Sequence, residues 1–324
     1  MARWFIAASL VLLGWPAAPA SAQSPAFHGP LSGFLYNRAA GTVTPLLGVP
    51  GSASIGSPVL SNIDFASISP GGDCAFTTQT GRSFFMCGLA ALTPAESAST
   101  GLIDSVDRVI WNRGGSVALL YSSATNQLQR VSLSGSGPSA DQPLDLSPWG
   151  QPTALAIDPA GRQIAFGIAQ SGIYLFAAGQ SPVLISAIGQ PAAAAFDGAG
   201  NLYAIDLEQQ QILKIDSGAN VSTLASVAQP NAPAVSPAGL AVSADNHYLA
   251  LADSAAQAVS VYDTSSGAMT TTLPLDFPPT RFAALSTGPT FLLNGDNPNE
   301  WLLVLDARQL PRLFFVPANQ EAAQ

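Results

Sequence analysis

From Phe65 to Leu293 the chain repeats one pattern of apolar and polar positions: a short apolar stretch, a tight polar turn, a second apolar stretch, a polar loop, then a third. Six segments align on it. They are Phe65-Ala-Ser-Ile-Ser-Pro-Gly-Gly-Asp-Cys-Ala-Phe76, Arg108-Val-Ile-Trp-Asn-Arg-Gly-Gly-Ser-Val-Ala-Leu-Leu-Tyr121, Ala154-Leu-Ala-Ile-Asp-Pro-Ala-Gly-Arg-Gln-Ile-Ala-Phe166, Ala193-Ala-Ala-Phe-Asp-Gly-Ala-Gly-Asn-Leu-Tyr-Ala-Ile205, Gly239-Leu-Ala-Val-Ser-Ala-Asp-Asn-His-Tyr-Leu-Ala-Leu251 and Arg281-Phe-Ala-Ala-Leu-Ser-Thr-Gly-Pro-Thr-Phe-Leu-Leu293. The stretches are strand-length and bounded by Gly, Pro, Asn and Asp, which marks them as strands. Four of the units continue into a third and a fourth strand: Ile173–Phe176 with Val183–Ser186, Ile212–Ile215 with Val221–Leu224, Ser260–Tyr262 with Met269–Leu273, and Leu302–Leu305 with Arg312–Val316.

The equivalent turn positions are Pro70, Arg113, Pro159, Gly198, Ala244 and Thr287, spaced 43, 46, 39, 46 and 43 residues apart. A period near 40–45 with four strands per unit is that of a β-propeller blade. One four-stranded sheet with two apolar faces cannot hide both alone, and radial stacking covers both. The pattern predicts an all-β propeller of six blades, with seven, one of them incomplete, as the alternative. The alternative arises at Gly33–Leu47, which matches only the third and fourth strands of a unit and has no inner strand ahead of it.

The turn between two strands of the first unit is centred on Thr80-Gly81. A two-residue hairpin loop there pairs Gln79 with Arg82 and therefore Cys74 with Cys87, at a position where side chains approach closely. These are the two cysteines of the chain, and the register predicts a cross-strand disulfide. A catalytic redox pair needs closer spacing and an activated thiolate.

The N-terminus runs Met1-Ala2-Arg3, then an apolar stretch from Trp4 to Trp15 and a small-x-small site at Ala20-Ser21-Ala22. Residues 1–22 read as a secretory signal peptide. The apolar run is shorter than the roughly 20 residues a spanning helix needs, and no later segment reaches that length. The expected organisation is a leader at 1–22, one domain at 23–317 and a tail at 318–324, with a secreted or periplasmic destination in which a disulfide forms.

Charged residues make up 10% of the chain and its net charge is −9, with Lys214 the single lysine among 11 cationic side chains. Without a basic cluster, nucleic acid is a poor partner. Solubility must come from hydroxyls, amides and exposed backbone.

Two of the units resemble known propeller repeats. Ala195–Asp216 resembles the NHL repeat and the gluconolactonase-like propellers, and Leu240–Asp263 resembles the YVTN repeat of bacterial surface proteins. In the gluconolactonase-like enzymes, the resemblance implies a divalent metal held at one channel mouth by Asp or Asn residues preceding the inner strands. The matching positions here are Thr153, Ala192 and Ala238, none of them a metal ligand of the required kind. The resemblance therefore implies a binding or scaffolding surface without that metal site.

Other chemistry is sparse. Asp158 and Asp197 end inner strands, while Asp206 and Asp253 end second strands. As turn caps they accept backbone N–H bonds. Converging at one mouth, they would instead bind a divalent cation and serve a rearranged hydrolase or lactonase site. His28 and His247 have no neighbours at metal-ligand spacing, and no nucleophile elbow or phosphate loop is present. Trp149, in a loop between units, is either a ligand anchor or a plug between blades. No catalytic residue or cofactor site is read from the chain. The reading that follows is a monomeric, exported binding or scaffold module for a protein, peptide or glycan, with the metal-dependent hydrolase as the alternative.

Overall fold

The protein is described by a computed structural model covering residues 30–97, 100–135, 137–228, 234–288, 290–294, 302–306 and 311–317. The expected leader, His28 and the expected tail lie outside the described residues. Every regular element among the described residues is a β-strand. A short N-terminal sheet holds β1 (Leu31–Asn37), β2 (Thr42–Leu47) and β3 (Ser54–Ile55). Blade 1 is β4 (Phe65–Ile68), β5 (Cys74–Gln79), β6 (Arg82–Cys87) and β7 (Ala95–Ser97). Blade 2 is β8 (Arg108–Trp111), β9 (Val117–Ser122), β10 (Gln127–Ser134), β11 (Gly137–Ala140) and β12 (Leu144–Asp145). Blade 3 is β13 (Pro152–Ile157), β14 (Gln163–Ile168), β15 (Gly172–Ala177) and β16 (Val183–Ser186). Blade 4 is β17 (Pro191–Phe196), β18 (Leu202–Asp206), β19 (Gln211–Ile215) and β20 (Val221–Ser226). Blade 5 is β21 (Pro237–Val242), β22 (Tyr248–Asp253), β23 (Ala258–Asp263) and β24 (Met269–Pro274). Blade 6 is β25 (Ala283–Ala284), β26 (Thr290–Leu292), β27 (Leu302–Asp306) and β28 (Arg312–Val316).

Within each blade the strands pair antiparallel in sequence order. In blade 2 the outermost position is split, because β10 pairs with β11 along one half and with β12 along the other. The six blades stand in a ring, as the repeat predicts. The N-terminal segment forms a sheet of its own instead of joining a blade, and it has three strands where the sequence pattern shows two. The third, β3, is only two residues long, too short to leave a periodic signal.

The alternation of second-strand side chains explains the ring. In β9, Val117, Leu119 and Tyr121 pack against blade 3, while Ala118 and Leu120 pack against blade 1. In β18, Leu202 and Ala204 face blade 3 while Tyr203 and Ile205 face blade 5. In β22, Leu249 and Leu251 face blade 4 while Ala250 and Ala252 face blade 6. Successive side chains of a strand point to opposite faces, so a strand between two neighbours is apolar at every position. Seven buried clusters result, one at each junction around the ring. The N-terminal sheet supplies two of them: Leu35 and Leu46 meet Leu285, Leu292 and Val316 of blade 6, and Phe34, Tyr36 and Val43 meet Ile63, Ala66 and Ala75 of blade 1. The first junction is close enough to need Gly33. A Cβ there would lie 2.5 Å from the Leu285 carbonyl oxygen, on a backbone with φ +149°.

The outer strands face solvent. β20 and β24 carry Ser, Thr and Met on exposed or half-exposed positions, so hydroxyls take the solvating role that ion pairs have elsewhere. Ion pairs among the described residues include Arg82 with Glu96 and Arg130 with Asp141.

The expected hairpin register holds. Thr80 and Gly81 both have positive φ, 49° and 78°, as a two-residue type I′ loop requires. Gln79 lies opposite Arg82 and Cys74 opposite Cys87. The two cysteines, 13 positions apart in sequence, form a disulfide with Cα atoms 4.0 Å apart, the narrower of the two spacings of an antiparallel pair.

Two consequences are measurable. The disulfide closes a short loop in a sheet already held by its ladder, so it contributes roughly 2–3 kcal/mol at most. Replacing both cysteines by serine should lower the thermal midpoint by about 5 °C, read by calorimetry, with the far-ultraviolet spectrum unchanged. The second concerns tyrosines. Burial raises the hydroxyl pKa of Tyr36, Tyr121 and Tyr262, and that of Tyr203 to about 12. Unfolded tyrosine ionises near 10. Stability is then intact below pH 10 and is lost as pH rises from 10 toward 12. Urea midpoints measured at pH 8, 10 and 11.5 should show no loss across the first interval and a steep loss across the second.

Candidate functional site: the central channel

The innermost strands surround a channel with a cavity of about 400 Å3. Its wall includes Ile68, Ile110, Ala156, Ala195 and Ala241, with the rings of Phe34, Tyr36, Trp111, Phe196 and Phe282. No Asp or Glu is among the lining residues; the charged ones are Arg113 and Arg281. An apolar, aromatic wall with a few polar groups is the usual composition of a ligand pocket.

The repeat places the polar groups. Each innermost strand ends in the turn that marks the period, so Pro70, Arg113, Pro159, Ala244 and Thr287 gather at one mouth. There Asn112 Nδ2 donates to the Pro159 carbonyl at 2.9 Å, joining blades 2 and 3. The Gly198 N–H donates to Asn246 Oδ1 at 2.8 Å, joining blades 4 and 5. Arg113 Nη1 donates to the Ala244 carbonyl at 3.2 Å, which joins blade 2 to blade 5, three sectors away. A long cationic side chain thus spans this mouth. Arg281 precedes β25 and borders the opposite end. Tyr36 Oη donates to the Asp64 carbonyl at 2.6 Å, and Trp111 Nε1 donates to Ser67 Oγ at 3.0 Å, so both polar aromatics of the wall are held in place.

The four carboxylates singled out from the sequence serve four separate turns. Asp158 Oδ1 accepts the N–H groups of Arg162 and Gln163. Asp197 Oδ1 accepts those of Ala199 and Asn201, and its Oδ2 accepts Asn201 Nδ2 and Tyr203 Oη. Asp206 Oδ1 accepts the N–H groups of Gln190 and Glu208, and Asp253 Oδ1 those of Ser236 and Ala255. The last two are one device used twice, since each ties the end of a second strand to the chain entering the same blade. All four are buried, and burial of a carboxylate without donors is costly. Among the described residues, no group of three His, Cys, Asp or Glu side chains could hold a metal ion.

Thr153, Ala192 and Ala238, where the gluconolactonase-like pattern puts ligands, sit at equivalent irregularities. The pairing register shifts between Pro152 and Ala154, Pro191 and Ala193, and Pro237 and Gly239. Thr153 Oγ1 is engaged with the Gly167 and Pro191 carbonyls. Trp149 packs edge-on against Phe166 and Tyr174 in the junction of blades 2 and 3. It is absent from the channel lining, and packing accounts for its place. The sequence reading missed the channel arginines. Arg113 was identified only as a turn position, and nothing local in Asn112-Arg113-Gly114 shows that it reaches another blade.

No family model matches this sequence, and no curated protein matches it. Solved structures do. A protein from Lactobacillus plantarum matches with TM-score 0.63 and 13% identity, over 89% of this chain and 96% of that one. Virginiamycin B lyase from Staphylococcus aureus matches with TM-score 0.54 and 16% identity, over 78% and 83%. A chain of a nidogen/laminin complex matches with TM-score 0.52 and 17% identity, over 76% and 91%. At these identities the likeness is one of fold, and it extends to an enzyme and to a component of a protein complex alike. The chain is a β-propeller, and the fold by itself selects neither role.

Proposed function

We propose that this protein is an exported binding module that takes an apolar or aromatic group of a peptide or protein partner into its central channel. The observation that carries the reading is the channel wall, aromatic and aliphatic around a 400 Å3 cavity, with two arginines and no carboxylate among its lining residues. Hydrolysis by metal-activated water needs clustered acids or histidines, and Asp158, Asp197, Asp206 and Asp253 are each engaged with backbone N–H groups at separate turns. Glycan recognition needs several polar side chains facing the sugar hydroxyls. The polar side chains of the wall are few, and Trp111 and Tyr36 already bond to the protein. A peptide side chain suits the wall better, and its carboxylate or carbonyl groups suit Arg113. The Cys74–Cys87 disulfide supports an oxidising compartment, and no helix of the described residues is long and apolar enough to cross a membrane.

Ala195 and Ala241 line the cavity but belong to none of the seven inter-blade clusters, so filling there should spare stability. Peptides would be selected on the immobilised protein from a random display library and measured by calorimetry. Ala241→Trp should weaken the selected peptides by at least about tenfold, roughly 1.4 kcal/mol, with the thermal midpoint within about 2 °C of the parent. Selected peptides that bind both proteins equally would place the interaction outside the channel and sink the reading.

A further inference from the structure

Lys214 breaks the repeat. The position it occupies on the third strand of its blade faces the following blade, and the equivalent residues on either side of it in the ring are apolar. In blade 3 the residue is Leu175, paired with Ala165, and in blade 5 it is Val261, paired with Ala250. Both pack into the junction with the next blade. In blade 4 the chain's single lysine stands at this position, half-buried and paired with Tyr203. Closure of the ring asks for an apolar side chain there, and an ammonium beside a packed junction carries a desolvation cost. Lys214 Nζ lies 5.7 Å from the centre of the Tyr203 ring. Among the described residues it donates no hydrogen bond and forms no ion pair. A departure from the pattern that packing does not explain marks a functional position.

Around Lys214 the outer halves of blades 4 and 5 part into a cleft of about 580 Å3, within the range of small-ligand pockets. One wall is β20 with the β19–β20 turn, and the other is the β23–β24 turn from Thr264 to Ser266. The second wall is locked against the first at Gly267, which has φ +72° and where a Cβ would collide with the Leu224 carbonyl oxygen. Leu224 is the apolar residue of a lining otherwise made of amides, hydroxyls, Lys214 and Asp216, the inverse of the channel wall. The hydrogen bonds of these groups decide what the cleft can hold. Asn201 and Asn220 donate from their amide nitrogens to Asp197 and Asp216. The hydroxyls of Thr223, Ser265 and Ser266 donate to Gln211 and Asp263. With those hydrogens committed, the oxygens of these groups remain as acceptors, and the Lys214 ammonium adds three donors. Hydrogen bonds from Asn220 hold the Asp216 carboxyl below the usual carboxylate range, so it stays ionised.

We propose that this cleft is a second binding site, separate from the channel, and that it holds a short stretch of a neutral glycan. A sugar hydroxyl donates and accepts at once, so a run of them meets both the acceptor oxygens and the Lys214 ammonium. A sulfate or carboxylate group offers acceptors alone and faces the ionised Asp216. An apolar side chain finds one matching contact, Leu224. The polar side chains that the channel lacks for sugar recognition are gathered here, at the junction where the repeat gives up an apolar contact. This inference does not rest on the ligand proposed above.

An array of neutral glucose, galactose, mannose and N-acetylhexosamine oligosaccharides tests it, with oligogalacturonates as the anionic comparison and calorimetric titration of each oligosaccharide that the protein retains. At least one neutral oligosaccharide should bind. Lys214→Leu restores the residue type of the neighbouring blades. It should weaken that oligosaccharide by at least about tenfold, with the thermal midpoint equal to or above that of the parent. Ser222→Trp, at an exposed position of β20 paired with Lys214, should block the cleft with a similar loss, and it supplies the reading even if Lys214→Leu does not fold. Binding of no neutral oligosaccharide overturns the proposal, as does a preference for the oligogalacturonates. So does an oligosaccharide that binds the parent and the folded variants equally, since the sugar would then sit elsewhere on the ring.

Discussion

Everything in this molecule depends on covering two apolar faces per sheet. A strand such as β9, Val117-Ala-Leu-Leu-Tyr-Ser122, is buried at every position because each of its faces meets a different neighbour. No sandwich of two sheets satisfies that requirement, since it leaves the outer faces wet. A ring does, and its seven junctions each hold a compact cluster. Burial of this kind contributes about 25 cal/mol per Å2 of apolar surface, which explains how a chain with so few charged residues holds one structure.

The channel is a by-product of the same constraint. Innermost strands are rich in small residues, Pro191-Ala-Ala-Ala-Ala-Phe196 above all, because they crowd near the axis. Small residues leave room for a cavity, while aromatic residues at intervals close its sides. The carboxylates do something unrelated to it. Asp206 and Asp253 hold blade entry to the end of the second strand, and Asp158 and Asp197 cap the turns at the ends of innermost strands. The four acids singled out from the sequence cap turns and strand ends, whereas Arg113, the charged side chain among the equivalent turn positions, reaches across the mouth.

The N-terminal sheet shows where periodicity stops being a guide. Its β1 and β2 are as buried as those of any blade, with Phe34, Leu35, Tyr36, Val43 and Leu46 all in the core, yet it enters the ring without an innermost strand of its own among the described residues. The repeat was legible wherever a full unit was present and ambiguous where one strand was short or absent. The ambiguity between six blades and an additional incomplete one came from that single sector.

Local chemistry was enough for what depends on neighbours in sequence. The type I′ loop at Thr80-Gly81 sets the register that joins Cys74 to Cys87, and the alternation within each unit assigns strands and buried faces, because both follow from backbone geometry over a few residues. Contacts between blades were beyond its reach. Trp149 as a plug against Phe166 and Tyr174 and Arg113 on the Ala244 carbonyl 131 residues away both depend on where the ring brings distant turns and strands. That placement is decided by closure of the whole circle, and no stretch of sequence shorter than the circle contains it.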